Sequence, residues 1–406
     1  MGRYFYASLT VPRELMIRKT NISLANEFMQ DFARMTGLDP VGTHPHRYLW
    51  TDAFAVCNYL GLFEETGNVT CRELALRLVD QVHHTLGRHR DDDLRTGWIS
   101  GLPLQEGERH PTTAGMRIGK SLPEREINEP YDEQQEWDRD GQYYHYLTKW
   151  MHALTRVSEV TGNPDYISWA IELAHTAYAR FTYLPPAGER KRMYWKMSID
   201  LTRPLISSMG QHDPLDGLVS YNELQLIATR DFGRTVQSSL LQEINEMTEI
   251  CQSIHMATDD PLGIGGLLID ASGIIQMMIR GGPVYADLLE NILDSALVGL
   301  NSFINTGYLE LPATYRLAFR EFGLTIGLSS VEKLPELIEK NPHLFDWSSS
   351  LHQRIQALLE YEPLREKIEQ FWLDGINRWG STWTEHQEIN MVMFATSLAP
   401  DGFLAI

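Results

Sequence analysis

Apolar positions along this chain recur at helical rather than strand spacing. In 48–63 they fall at Leu49, Ala53, Val56, Leu60 and Phe63, and in 72–86 at Leu74, Ala75, Leu78, Val79 and Val82. Glu65-Thr66-Gly67-Asn68 separates the two runs. Glycine there stops one helix, and Thr or Asn can cap the next. The same hairpin returns further on: EETGN at 64–68 is echoed by EVTGN at 159–163, and Leu74, Ala75, Leu78 and Val82 align with Trp169, Ala170, Leu173 and Ala177. Pro164 takes a first-turn position, where proline is tolerated.

Further pairs follow at 218–230 with 236–254 and at 262–279 with 286–303. A segment at 312–326 pairs with a helix in 334–338 or 351–359, and 364–378 pairs with 386–398. Six helical pairs, with no sustained period-two alternation, predict an all-α array of repeated hairpins. Two segments break the pattern, 88–140 and 184–217. The second holds Tyr194, Trp195, Met197, Ile199, Leu201 and Met209, too apolar a set for a disordered linker. Both are read as ordered loops over one face of a single domain, 1–406, with 1–40 as an N-terminal extension or helix.

Composition narrows the functions this array could serve. With 35 Lys+Arg against 54 Asp+Glu the net charge is −19, which argues against a nucleic-acid partner. No continuous apolar leader and no fully apolar run of spanning length is visible, so the expectation is a cytoplasmic protein without a membrane partner. Cys57, Cys71 and Cys251 are too sparse for a disulfide framework and read as buried hydrophobes. No HExxH, zinc-spaced His/Cys set, phosphate loop or GxSxG elbow occurs, and Gly263-Ile264-Gly265-Gly266 lacks a preceding strand. The expectation is therefore no metal and no cofactor.

Six hairpins with TGN turns, best exemplified by TGNPDYISWAIELA at 161–174, resemble the six-hairpin glycosidase group. That resemblance covers 48–398 and implies an (α/α)6 toroid, inner helices lining a barrel and outer helices wrapping it. It implies activities ranging over glycoside hydrolases, unsaturated uronyl hydrolases, polysaccharide lyases and sugar 2-epimerases. In such a toroid, ligands bind in the cleft where the inner helices begin.

Four polar and aromatic stretches fit that position. The first runs from His44 to Asp52 and offers His46, Arg47, Trp50 and Asp52 to a sugar. Aromatic faces stack on ring C–H surfaces, while charged groups take hydroxyl hydrogen bonds. Local capping by Asp52 competes with that reading. The second runs from Trp137 to Tyr146. Asp138 or Asp140 there is a candidate general acid or a helix cap, and Gln142, Tyr143 and His145 follow as substrate contacts. The third contains Trp195 and then Gln211, His212 and Asp213, a candidate proton-transfer set or a polar turn. The fourth, 379–390, contributes Trp383 and His386 and is placed beside the first by ring closure, with helix capping as the plain alternative.

Three functions compete on this footing. A glycoside hydrolase acting on an oligosaccharide or a uronic-acid-containing glycan would use Asp138 or Asp140 with Asp213. A sugar 2-epimerase or isomerase would draw its acid and base from His212, His145 and His386. A non-catalytic glycan-binding protein would keep the cleft without turnover. The partner in each case is a small carbohydrate.

Overall fold

The computed structural model describes residues 13–406 except 187, 189, 234, 235, 237, 253 and 346–348. The first twelve residues of the expected 1–40 extension lie outside the described residues. Thirteen longer helices carry the architecture. They are α1 (Arg13–Met35), α2 (Leu49–Thr66), α3 (Val69–Leu86), α4 (Tyr144–Thr161), α5 (Pro164–Phe181), α6 (Asp213–Ile227) and α7 (Leu241–Cys251). Then come α8 (Pro261–Ile279), α9 (Ala286–Asn305), α10 (Ala318–Glu332), α11 (Ser349–Leu359), α12 (Pro363–Leu373) and α13 (Gln387–Leu398).

Six of these close a ring: α2 packs on α4, α4 on α6, α6 on α8, α8 on α10, α10 on α13, and α13 returns to α2. This is the (α/α)6 toroid. Inner helices are recognisable by burial on every face; from Leu49 to Leu60 no residue of α2 reaches solvent appreciably. Outer helices bury one stripe, as α3 does with Leu74, Ala75, Leu78, Val79 and Val82.

The repeated TGN turn forms the same cap twice. Gly67 and Gly162 both sit at φ 70° in the left-handed region, and Asn68 and Asn163 each accept a backbone N–H two residues on. Thr66 and Thr161 each back-bond to the carbonyl four residues earlier, Leu62 and Val157. The inner helices α8 and α10 approach most closely at glycines, where a Cβ on Gly327 would lie 2.6 Å from the Gly265 backbone.

The last expected hairpin differs. Helix α12 lies against α10, and the outer partner of α13 is α1. Ala25, Met29, Phe32 and Ala33 of α1 are buried, and Phe28 meets Phe394 at 5.0 Å. The N-terminal helix thus completes the outer wall, and sequence adjacency misled because ring closure joins chain ends. Helix α8 is long and apolar enough to cross a membrane by length and composition, but 67% of that stretch is buried inside the barrel. Cys57, Cys71 and Cys251 are buried free thiols.

One end of the barrel is plugged by the C-terminal segment. The Phe403 ring stacks on Phe54 at 4.1 Å, and the Phe403 carbonyl accepts from His152 Nε2 at 2.8 Å. At the other end, where inner helices begin, the two irregular segments form one layer. A three-stranded sheet joins β1 (Gln142–Tyr143), β2 (Lys196–Met197) and β3 (Pro204–Ile206). Arg125 donates to the Leu205 carbonyl at 2.7 Å, the Ile199 N–H donates to Glu124 at 2.6 Å, and Arg95 bridges Glu124 and Asp200.

Candidate active site

Strand β1 sets the entry of α4. The Tyr144 N–H donates to the Trp195 carbonyl at 3.1 Å, so Tyr143, His145 and Tyr146 are presented together at the mouth. Tyr143 stacks on His145, meets Tyr146 edge-on at 5.0 Å, and touches Trp195 at 5.0 Å. Trp195 in turn packs against the exposed Trp137. Opposite this corner the Tyr48 and Tyr146 hydroxyls are 2.6 Å apart. The Tyr143 hydroxyl is buried and has no hydrogen-bond partner.

Helix α6 begins at the same level. Asp213, its first residue, places Oδ1 3.7 Å from His145 Nδ1, while its Oδ2 is buried and unpartnered. At 3.7 Å the two groups are in contact but beyond hydrogen-bonding range. Burial governs both protonation states. It lowers the His145 imidazole to about 4, and it pushes the Asp213 carboxyl well above the ordinary carboxylate range, with the nearby Asp216 adding to the effect. Burial thus favours the uncharged form of each group, the neutral imidazole of His145 and the carboxyl of Asp213. His212 is pinned through Nε2 to the Met256 carbonyl at 2.7 Å.

Beneath this pair α4 and α6 repeat the same kind of contact. Lys149 reaches Asp216 at 3.0 Å, and one further turn inward His152 reaches Glu223 at 2.8 Å. The spacing His145, Lys149, His152 follows the one-face rule of a helix. Asp270 of α8 closes on Asp216. Burial, reinforced by that neighbour, raises the Asp270 carboxyl well above its usual range. A cavity of about 40 Å³ lined by Lys149, His152, Glu223 and Asp270 separates these rungs from the C-terminal plug.

The far wall is formed by α10 and α13. His46 bonds Glu388 at 2.8 Å, which joins the first and fourth stretches as expected from ring closure, and the Glu388 bond raises the His46 imidazole. His386 meets Phe319 edge-on at 5.5 Å. Its imidazole is lowered chiefly by burial, with Glu385 opposing and Lys120 and Arg320 reinforcing the shift. In the ring order, α13 stands diametrically across from α6.

Several expected site residues turn out to be braces. Asp140 has no exposed surface; it accepts from Arg117 at 2.8 Å, Arg90 at 3.3 Å and the N–H groups of Gly119, Lys120 and Gly141. Its carboxylate is fully committed, which corrects its assignment as an acid. Asp138 is exposed at the end of a short helix, beside the Trp137–Trp195 stack rather than beside Asp213. Arg47 is buried against Asp52 and the Thr36 carbonyl, and Asp52 accepts the Tyr48 N–H at 2.9 Å. This is the capping alternative for that pair. Burial lifts the Asp52 carboxyl to about 6, with Arg47 opposing.

Gln142 spends both ends of its amide, accepting from the Met116 N–H and donating to the Ala114 and Ile199 carbonyls. The Gln211 amide is spent on the His255 and Ala257 carbonyls. Trp50 packs on Phe54 and Tyr146, and Trp383 packs between Phe322 and Trp372; both are core. The mouth therefore collects Tyr143, His145, Trp195, His212, Asp213, His46 and His386 from the expected set. Tyr48 and Tyr146 from the first two stretches and Asp216 from the third join them, and Lys120, Arg320, Lys149 and Asp270 do so without having been singled out by sequence. Ionisable residues in otherwise apolar helices are the signal that marks Lys149 and Asp270.

No family model and no curated protein matches the sequence. Among solved structures the chain is similar to a GH76 α-mannanase of Bacteroides thetaiotaomicron, with TM-score 0.52 and 8% identity over 95% of this chain and 98% of that one. It is also similar to a cellobiose 2-epimerase from Spirochaeta thermophila (TM-score 0.49, 12% identity, 95% and 98% covered). A third likeness is to a sugar epimerase from a ruminal bacterium (TM-score 0.40, 10% identity, 77% and 75% covered). The fold is that of the six-hairpin glycosidase-like toroids.

Proposed function

We propose that the protein is an enzyme acting on a small carbohydrate by acid–base chemistry at the barrel mouth, most simply a sugar epimerase or isomerase. The observation that carries this reading is the His145–Asp213 contact at 3.7 Å, where burial favours the uncharged form of both groups and the second carboxyl oxygen has no partner. In this reading the Asp213 O–H donates to the carbonyl oxygen of an open-chain sugar. His145 takes the proton from the adjacent carbon and becomes imidazolium, and His386, across the ring, enters the turnover as imidazolium, gives its proton to the other face and ends neutral. Trp195, backed by the Tyr143 ring tilted against it at 5.0 Å, holds the apolar face of the sugar.

Hydrolysis would need a second carboxylate free to activate water or attack the sugar. Asp140 is locked, and Glu388 and Asp260 are each paired with a base. One feature does favour hydrolysis: a buried protonated carboxyl such as Asp213 is also the form a glycosidic general acid takes.

The deciding experiment incubates the protein with free monosaccharides and disaccharides in D₂O. Isomer interconversion with deuterium gained at the carbon beside the carbonyl is expected. Reducing-sugar release from glycans without such exchange would assign the hydrolase instead. Binding without turnover would leave a glycan-binding protein.

A further inference from the structure

We infer that the mouth selects a sugar bearing an anionic substituent, a carboxylate or a phosphate ester, with Lys120 and Arg320 as its recognition residues. This rests on the carbohydrate reading above and names the substrate class for the same site.

A carboxylate without solvent contact is expensive to bury, and around Asp140 two arginines and three backbone N–H groups are gathered to compensate it. What that network fixes is the 117–122 loop. Arg90 bonds the Lys120, Ser121 and Leu122 carbonyls while Asp140 takes the Gly119 and Lys120 N–H groups.

The side chain that this rigid loop delivers to the mouth is Lys120. Its ammonium lies 5.3 Å from the centre of the Tyr48 ring, whose hydroxyl touches Tyr146. Among the described residues no carboxylate lies within ion-pair distance of Lys120. In a chain of net charge −19, an ordered lysine without a counter-ion at a cleft is an unfilled anion position.

A second cation points to the same space. Arg320 lies over Phe319, which packs on His386, and one guanidinium nitrogen is spent on Asp260 at 2.8 Å. The remaining donors of its fork have no protein acceptor among the described residues. Lys120 over Tyr48 and Arg320 over Phe319 stand on the two walls that the His46–Glu388 bond joins at 2.8 Å, with His386 against Phe319 between them. An anionic group between Lys120 and Arg320 would hold the sugar at one end and leave its reacting carbons toward His145 and Asp213.

The test titrates the whole protein, at low salt, with matched ligands: glucose, glucuronate and glucose 6-phosphate, and the corresponding mannose and galactose series. At least one anionic member should bind about tenfold or more tightly than its neutral parent, with affinity falling as salt is added. Whether the uronate or the phosphate arm responds identifies the anion. Lys120→Gln should bring charged and neutral members to parity, and Lys120→Arg should keep the preference. Folding of each variant is checked by near-ultraviolet circular dichroism. A neutral sugar that binds as tightly as its charged partners, or a preference unchanged in a folded Lys120→Gln/Arg320→Gln protein, overturns the anion proposal and leaves the carbohydrate reading intact. No binding by any sugar in the series overturns both.

Discussion

His152 and Glu223, on adjacent inner helices, form an ion pair sealed inside the barrel. Nδ1 of His152 lies 2.8 Å from the Glu223 carboxylate, and Nε2 lies 2.8 Å from the Phe403 carbonyl. A carbonyl only accepts, so Nε2 carries a proton; a carboxylate accepts likewise, so Nδ1 carries the other. The ring is an imidazolium. Burial opposes that charge most strongly of any one influence, but Glu223 and the Cys57 thiol together outweigh it and raise the imidazole to about 10. This pair fastens the C-terminal plug to α4 and α6.

Stability should therefore depend on pH on the alkaline side. The folded value of His152 lies above its ordinary 6.5, so its contribution is complete below about 6.5 and is lost as pH rises toward 10. Melting temperature should fall across that window, and the decline should be smaller in His152→Gln. Glu223→Gln leaves a buried cation without its partner and should cost about 3–5 kcal/mol in denaturant titration. A Glu223→Gln protein as stable as the parent would remove this pair from the account of the fold.

Turnover should persist further into acid than an ordinary histidine base allows. With His145 lowered to about 4, the acid limb of kcat/KM should sit near that pH rather than near 6.5. His145→Gln should reduce turnover by ~100-fold or more with little change in melting temperature. An acid limb at 6.5 in the parent protein would transfer the base role away from His145.

Two aspartates should respond in opposite ways. Asp213→Asn keeps the shape of a carboxyl whose charged form burial already disfavours, so stability should hold while turnover drops by ~100-fold or more. Asp140→Asn strips the charge from a site serving two arginines and should cost about 3–5 kcal/mol in urea unfolding. Loss of stability in the first with full turnover retained would make Asp213 a brace and Asp140 the group to reconsider.

The twin turns provide an internal control. Gly67 and Gly162 share φ 70°, and a Cβ on either meets nothing within 4 Å. Alanine at each therefore carries only the backbone cost of the left-handed region, about 1–2 kcal/mol. The two losses should be similar and should add in the double variant, since the turns belong to separate hairpins. Unequal losses would show that one turn carries tertiary contacts the other lacks.

The sequence by itself determined the repeating unit. Thr-Gly-Asn with apolar positions at three and four residue spacing specifies a helix, its left-handed stop and the next cap through interactions a few residues apart, and both copies fold as read. It also singled out 137–146, 194–213 and 379–390, because their polar and aromatic residues stand out against apolar helices. What the tertiary structure decided is which of those groups are free. Asp140 and Asp213 look alike in sequence, each a carboxylate just before or at a helix start. One is neutralised by Arg90 and Arg117, which lie 50 and 23 residues away. The other meets His145 across the gap between two inner helices, in a pocket that gives its second oxygen no partner. The same dependence on distant chain explains why α1, and not α12, backs α13 in the outer wall. Local sequence sets φ, ψ and capping, whereas the charge state of a buried side chain is set by neighbours that only the closed toroid brings within a few ångströms.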